Sequence, residues 1–229
     1  MKIGILQTGV PPLNLKDEFG DYPSMIRNLL GEGFETQTFD VVTDGPPKAD
    51  GFAGYVITGS AAGVYDELPW IAPLMDFLRQ QRGQAKLVGI CFGHQLMAQA
   101  FGGEVIKSPK GWGLGLHAYE VVRREGWMDA AREVSIPVSH QDQVVEAPPQ
   151  AHVVARSDFT PYGVLAYADQ PAISLQHHPE FDPAYASALI ERRLETVLSE
   201  AQGRAAIQTL KQPNDRARVG GWIRNFLES

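Results

Sequence analysis

The sequence is poor in cysteine, in positive charge and in long apolar runs, and each shortage excludes something. One cysteine in 229 residues leaves no intrachain disulfide framework and no cysteine-rich zinc module. Lys and Arg number 20 against 27 Asp and Glu, a formal charge of −7. That balance argues against nucleic acid or an anionic membrane as the main partner. The first apolar stretch, Ile3-Gly4-Ile5-Leu6, breaks at Gln7-Thr8-Gly9, too short for a secretory signal or a membrane span of about 20 residues. A cytoplasmic protein is the expectation. What is present is a hydrophobic fraction of 44%, with four Trp and ten Phe, enough for a real core. The length fits a single domain over residues 1–229, of which 182–229 form a C-terminal helical extension.

Short apolar runs alternate with helical patterns in the first half. Strands are predicted at 3–6, 34–42, 54–57 and 86–90, with helices at 22–30, 70–82 and 95–101. This alternation is the pattern of an open, mostly parallel twisted sheet flanked by helices. The second half differs. Strand candidates at 117–122, 133–138, 152–156 and 164–168 carry turns between them, which predicts an antiparallel extension. A further strand at 172–176 leads into His177-His178-Pro179-Glu180. Asp182-Pro183 then reads as a cap and first-turn proline for a helix to about 198. Residues 202–215 read as a linker, and Val219, Trp222, Ile223, Phe226 and Leu227 form the stripe of a last helix. That stripe fits packing on the domain or a homodimer, packing being the ordinary use of such a face.

The strongest local signal is Gly89-Ile90-Cys91-Phe92-Gly93-His94-Gln95, where a predicted strand gives way to a helix. A nucleophile elbow needs a sharp strand-to-helix turn, with glycines two before and two after to avoid Cβ collisions. The helix start directs free N–H groups at the side chain, a setting that favours a reactive thiolate in general. The N–H of Phe92 is then available to an oxyanion. The same residues also fit a small cysteine buried in a core. A basic partner is offered by His178, and a carboxylate for it by Glu180, since residues two apart in an extended segment point the same way. A satisfied histidine in a surface loop is the plainer reading of His178 alone. Both motifs follow strands and fall at one sheet edge, where open α/β sheets build their sites.

Gly-x-Cys-x-Gly-x-Gln followed far downstream by His-Pro-Glu resembles the class I (triad) glutamine amidotransferases. The Cys-Phe-Gly-His-Gln wording and Ser139-His140-Gln141-Asp142-Gln143-Val144 are most similar to the amidotransferase domain of GMP synthetase and its stand-alone relatives. The resemblance implies a flavodoxin-like α/β fold and covers the chain from the first strand to about Phe181. It implies Cys91 as nucleophile, His178 as base then acid, and Glu180 as the group that orients the ring. It also implies an oxyanion hole from the N–H groups of Gly59, in the Thr58-Gly59-Ser60 turn, and Phe92. Gln95, Ser139 and His140 would hold the substrate glutamine. The implied reaction hydrolyses the γ-amide of glutamine, or of a related γ-glutamyl small molecule, through a γ-glutamyl thioester and without a cofactor. On the residues alone, Thr58-Gly59-Ser60 is equally an ordinary turn and Ser139-His140 a polar loop.

Other signals are weaker. Gly111-Trp112-Gly113-Leu114-Gly115 lacks dinucleotide-binding spacing and is expected to be a loop over the site, with Trp112 as a wall of it. The histidines show no metal-ligand spacing, and Arg192-Arg193 reads as a solvated helix face. About 48 residues follow Phe181, too few for a synthase domain that consumes ammonia. Three activities remain open: a glutaminase serving a separate ammonia-using synthase, a free-standing γ-glutamyl peptidase or hydrolase, and a non-catalytic regulatory or binding module. The intact Cys, His and Glu weigh against the third.

Overall fold

The computed structural model describes residues 1–48, 51–194 and 196–229. The chain opens with strand β1 (Lys2–Gln7) and helices α1 (Leu13–Phe19) and α2 (Tyr22–Leu30). Strand β2 (Glu35–Asp40), one helical turn α3 (Val41–Asp44) and strand β3 (Gly54–Ile57) follow. Next come helix α4 (Ile71–Gln81), strand β4 (Lys86–Ile90) and helix α5 (Phe92–Ala100). Strands then run in succession: β5 (Glu104–Lys107), β6 (Gly113–Val121), β7 (Glu133–His140) and β8 (Asp142–Glu146). They end with β9 (Ala151–Arg156), β10 (Val164–Tyr167) and β11 (Ala172–Leu175). Helices α6 (Pro183–Glu191), α7 (Glu200–Thr209) and α8 (Arg216–Glu228) close the chain.

The main sheet has the order β2-β1-β3-β4-β11-β10-β9-β6-β7. Its first five strands are parallel, and the remaining pairings are antiparallel. A separate antiparallel ribbon joins β5 to β8. Parallel strands covered on both faces should be apolar throughout, and β3 is buried at all four positions. Alternate side chains feed two cores. Ile3, Ile5, Val88 and Ile90 pack with Ile26 of α2 and Trp222 and Ile223 of α8. Leu6, Ile57 and Leu87 pack with Leu74 of α4 and Leu96 and Met97 of α5. The apolar stripe of α8 is therefore buried within the chain. No helix among the described residues is long and apolar enough to cross a membrane.

The structure corrects several expectations. The helix after Cys91 starts at Phe92, three residues before the predicted start, because the elbow turns directly into it. The helix begun at Asp182 ends at Glu191. The Arg193 carbonyl takes up the N–H groups of Val197 (3.2 Å) and Leu198 (3.1 Å), which closes a turn instead; position 195 of the predicted helix lies outside the described residues. The predicted linker 202–215 contains most of α7, begun by a capping box between Ser199 and Gln202. The glycine run at 111–115 does not stay a loop, since β6 begins at Gly113. Its Gly115 has φ +83°, and a Cβ there would collide with Thr209 Oγ1 and lie 2.7 Å from the Ala206 carbonyl. Glycine thus lets α7 lie directly on β6, where Thr209 Oγ1 accepts the Leu116 N–H at 2.8 Å. Helix α1 and the β5–β8 ribbon were not anticipated.

Candidate active site

Cys91 stands between β4 and α5 with φ 52° and ψ −100°, the one non-glycine residue with positive φ among the described residues. An L-residue held there is strained, and the packing shows what holds it. A Cβ on Gly89 would lie 2.5 Å from the Gly93 carbonyl oxygen; one on Gly93 would lie 2.6 Å from the Ile57 carbonyl oxygen. Both glycines are required by contact, as the elbow spacing predicts. The Cys91 N–H donates to the Leu175 carbonyl of the neighbouring strand at 2.8 Å.

That neighbouring strand, β11, delivers the histidine. His178 is buried, and its Nδ1 lies 2.7 Å from Glu180 Oε1. The two meet across a turn, with the Phe181 N–H donating to the His178 carbonyl at 3.3 Å, not along the extended segment that the spacing suggested. The ring is held in place by Phe181, stacked at 3.8 Å between centroids and 6° between planes. The His178 N–H donates to the Pro137 carbonyl at 2.9 Å. Burial opposes a charged ring, but the Cys91 sulfur and the Glu180 carboxylate outweigh it and hold the His178 pKa well above its ordinary value. With Nδ1 committed to Glu180, Nε2 is the ring nitrogen left for Cys91 and a substrate.

Gly59 closes the third side. A Cβ placed there would lie 3.2 Å from His178 Cε1 and 3.9 Å from Cys91 Cβ. The turn carrying it is fixed by Thr8, the residue after β1, whose hydroxyl donates to the Thr58 carbonyl at 2.9 Å. Thr8 N–H donates in turn to Thr58 Oγ1 at 3.0 Å. Phe92 is the first residue of α5, so its N–H has no acceptor within the helix.

A cleft of about 450 Å³ opens over Cys91, and Gln95, Trp112, Ser139 and His140 all line it. The sequence-predicted residues are therefore brought together, although not all are free to bind. Gln95 Nε2 donates to the Asp142 carbonyl at 2.8 Å and to Gln176 Oε1 at 3.2 Å, which leaves its oxygen for a ligand. His140 lies buried, its pKa lowered to about 3 by desolvation and by neighbouring histidines.

Sequence reasoning missed two members. Gln176 donates from Nε2 toward Cys91 Sγ at 3.7 Å; its position in the strand before His178 was the available signal. Arg193 is not on a solvated helix face. Its Nη1 donates to Ser139 Oγ at 2.6 Å, and its guanidinium lies 4.6 Å from the Trp112 ring centre.

A strand-to-helix elbow carrying Cys91 at the carboxyl edge of a parallel sheet, beside a buried histidine–carboxylate pair, defines an α/β protein with a thiol, an imidazole and a carboxylate gathered at one sheet edge. Residues 23–196 match the family Glutamine amidotransferase class-I, and the chain belongs to that family. Gamma-glutamyl peptidase 2 of Arabidopsis thaliana is 28% identical over 225 residues, spanning 93% of this chain and 90% of that protein. A glutamine-hydrolyzing GMP synthase subunit of Methanopyrus kandleri is 30% identical over 171 residues, 72% of this chain and 86% of its own. A glutamine amidotransferase of Thermotoga maritima shares the fold over 100% of this chain and 96% of its own, with a TM-score of 0.76 and 18% identity.

Proposed function

We propose that the protein hydrolyses γ-glutamyl amides through Cys91, His178 and Glu180, using water as the final acceptor. One observation carries the reading: the strained Cys91 elbow faces a buried His178 whose far nitrogen is held by Glu180 at 2.7 Å. In this scheme the Cys91 thiolate attacks the γ-carbonyl carbon, and the N–H groups of Gly59 and Phe92 receive the negative oxygen. The His178 imidazolium gives its proton to the leaving nitrogen as the C–N bond breaks, leaving a γ-glutamyl thioester. Neutral His178 then takes a proton from water, which attacks the thioester, frees glutamate and restores the thiolate. Gln95, Ser139, His140 and Trp112 form the walls that hold the glutamyl part.

Similarity to the Arabidopsis γ-glutamyl peptidase over nearly the whole of both chains favours a leaving group larger than ammonia. Similarity to the Methanopyrus GMP synthase subunit favours glutamine as substrate and a separate synthase as the consumer of ammonia. Purified protein assayed on glutamine and on a panel of γ-glutamyl dipeptides, beside Cys91→Ala, decides between them. Dipeptide turnover by the isolated chain supports the peptidase; weak glutaminase activity that rises with a partner synthase supports the ammonia donor. Glutamate release that survives Cys91→Ala would overturn both.

A further inference from the structure

We propose that Arg193 reads the α-carboxylate of the γ-glutamyl group, and so sets the requirement for a free amino-acid head; this rests on the activity proposed above. The cleft over Cys91 carries both signs of charge. Asp66 and Asp142 line it, as do Arg193 and Lys107. Tyr65 donates its hydroxyl to Asp142 Oδ2 at 2.9 Å, and the Gly63 N–H donates to Asp66 Oδ2 at 2.8 Å. Lys107 is the cross-strand partner of Asp142 in the β5–β8 ribbon, and its charge acts on that carboxylate without a direct ion pair among the described residues. Arg193 differs in its burial: among the described residues it too forms no ion pair, and burial makes its guanidinium harder to keep charged.

An unpaired, partly desolvated guanidinium is costly to build, so the way it is held is informative. Its carbonyl receives Thr196 Oγ1 at 3.0 Å as well as the N–H groups of Val197 and Leu198. One face of the guanidinium is covered by Trp112 and one nitrogen is tied to Ser139. Leu198 and the α7 residue Ala206 bury themselves against that same Trp112 and the β6 residues Leu114 and Leu116. A charged fork fixed by backbone, by stacking and by one hydroxyl still has donors to offer a planar anion. A glutamyl head is zwitterionic: its ammonium suits the carboxylates and the Gln95 oxygen, and its carboxylate suits Arg193. A substrate lacking the free carboxylate would leave the arginine uncompensated in the cleft.

The test compares γ-glutamyl p-nitroanilide with the same compound bearing a primary amide in place of the α-carboxylate. Wild type should prefer the free acid, and Arg193→Ala should lose about ten- to a hundredfold in kcat/KM on it, chiefly through KM. The loss on the α-amide should be much smaller, so the preference collapses; Arg193→Lys should restore part of it. Equal losses on both substrates, or no wild-type preference, would overturn the proposal. So would a collapse seen instead between γ-glutamylglycine and γ-glutamylglycinamide, which would place the recognised carboxylate on the leaving side. Calorimetric binding of L-glutamate and isoglutamine to Cys91→Ala protein, with and without Arg193→Ala, reads the cleft with no turnover. Failure of hydrolysis with an Arg193-dependent preference for glutamate would sink the activity and keep the site; a preference absent from Cys91→Ala protein, or one that survives Arg193→Ala, would sink the site.

Discussion

Gln176 aims its amide nitrogen at the sulfur of Cys91 from 3.7 Å, while its oxygen is held by Gln95 at 3.2 Å. The amide is thus oriented from behind, with one of its donors turned toward the sulfur. Gln176→Leu, which keeps the volume and removes the donor, should lower kcat/KM for γ-glutamyl hydrolysis about tenfold. Alkylation of Cys91 by iodoacetamide should change in rate alongside. An unchanged rate in both assays would show that the contact has no part in the chemistry.

Gly93→Ala tests the elbow as a packing device. The new methyl would sit 2.6 Å from the Ile57 carbonyl and 2.8 Å from Ile57 Cβ, both in β3. Overpacking of this kind costs about 1–3 kcal/mol, and denaturant unfolding should show a midpoint lowered accordingly. A variant as stable as wild type would mean that α5 can slide away from the sheet.

The buried histidines make stability fall on both sides of neutrality. Desolvation holds His94, His140 and His177 neutral, each lowered to about 3. Between that value and their ordinary 6.5, the unfolded chain binds protons that the folded chain refuses, so stability drops as pH falls through this range. His178 is the reverse case: its folded pKa is raised, so its contribution is complete below 6.5 and is lost as pH rises through the folded value of about 10. His177 packs edge-on to Tyr119 with ring centres 4.9 Å apart, and neither of its nitrogens pairs with a protein group among the described residues. His177→Phe should therefore fold and flatten the acid limb by roughly 1 kcal/mol per pH unit. Urea midpoints between pH 4.5 and 7 read this directly; an unaltered slope would assign the acid limb to carboxylates.

Arg216 ties α8 to the turn that carries the histidine. Its Nε donates to the Pro179 carbonyl at 3.0 Å and its Nη2 to the Glu180 carbonyl at 3.3 Å. Arg216→Ala should loosen that turn and lower kcat about tenfold, with KM little moved, because the walls proposed to hold the glutamyl part lie elsewhere. Arg216→Lys should recover only part, lacking the fork. A variant impaired through KM alone would argue that the turn keeps its shape unaided.

The parts legible in the sequence were those fixed by neighbours in the chain. The elbow glycines flank Cys91 at fixed offsets, and Asp182-Pro183 starts α6 with its own carboxylate on the Ala184 N–H at 2.9 Å. Strands β1, β3, β4 and β11 announced themselves because burial on both faces demands continuous apolar runs. What stayed hidden depends on distant partners. The end of α6 is set by a carbonyl that captures residues beyond it. Helix α7 is built of good helix formers such as Ala, Glu and Gln, yet it buries only Gly203 and Ala206, so no apolar stripe marks it in the sequence. Arg193 looks like any surface arginine until β6 brings Trp112 beneath it. Thr8 was invisible for the same reason: its role is to pin a turn 50 residues away.

Ile90 and Leu175 are paired across β4 and β11, each the last residue of its strand. The distance between sulfur and imidazole is therefore written in hydrogen-bond register, like a vernier with steps of about 3.3 Å. A slip of one step would carry His178 out of reach of Cys91 and turn Ile173 and Leu175 away from their core. The core that penalises the slip thus also sets the spacing of Cys91 and His178, and a misregistered chain should be unstable as well as altered there.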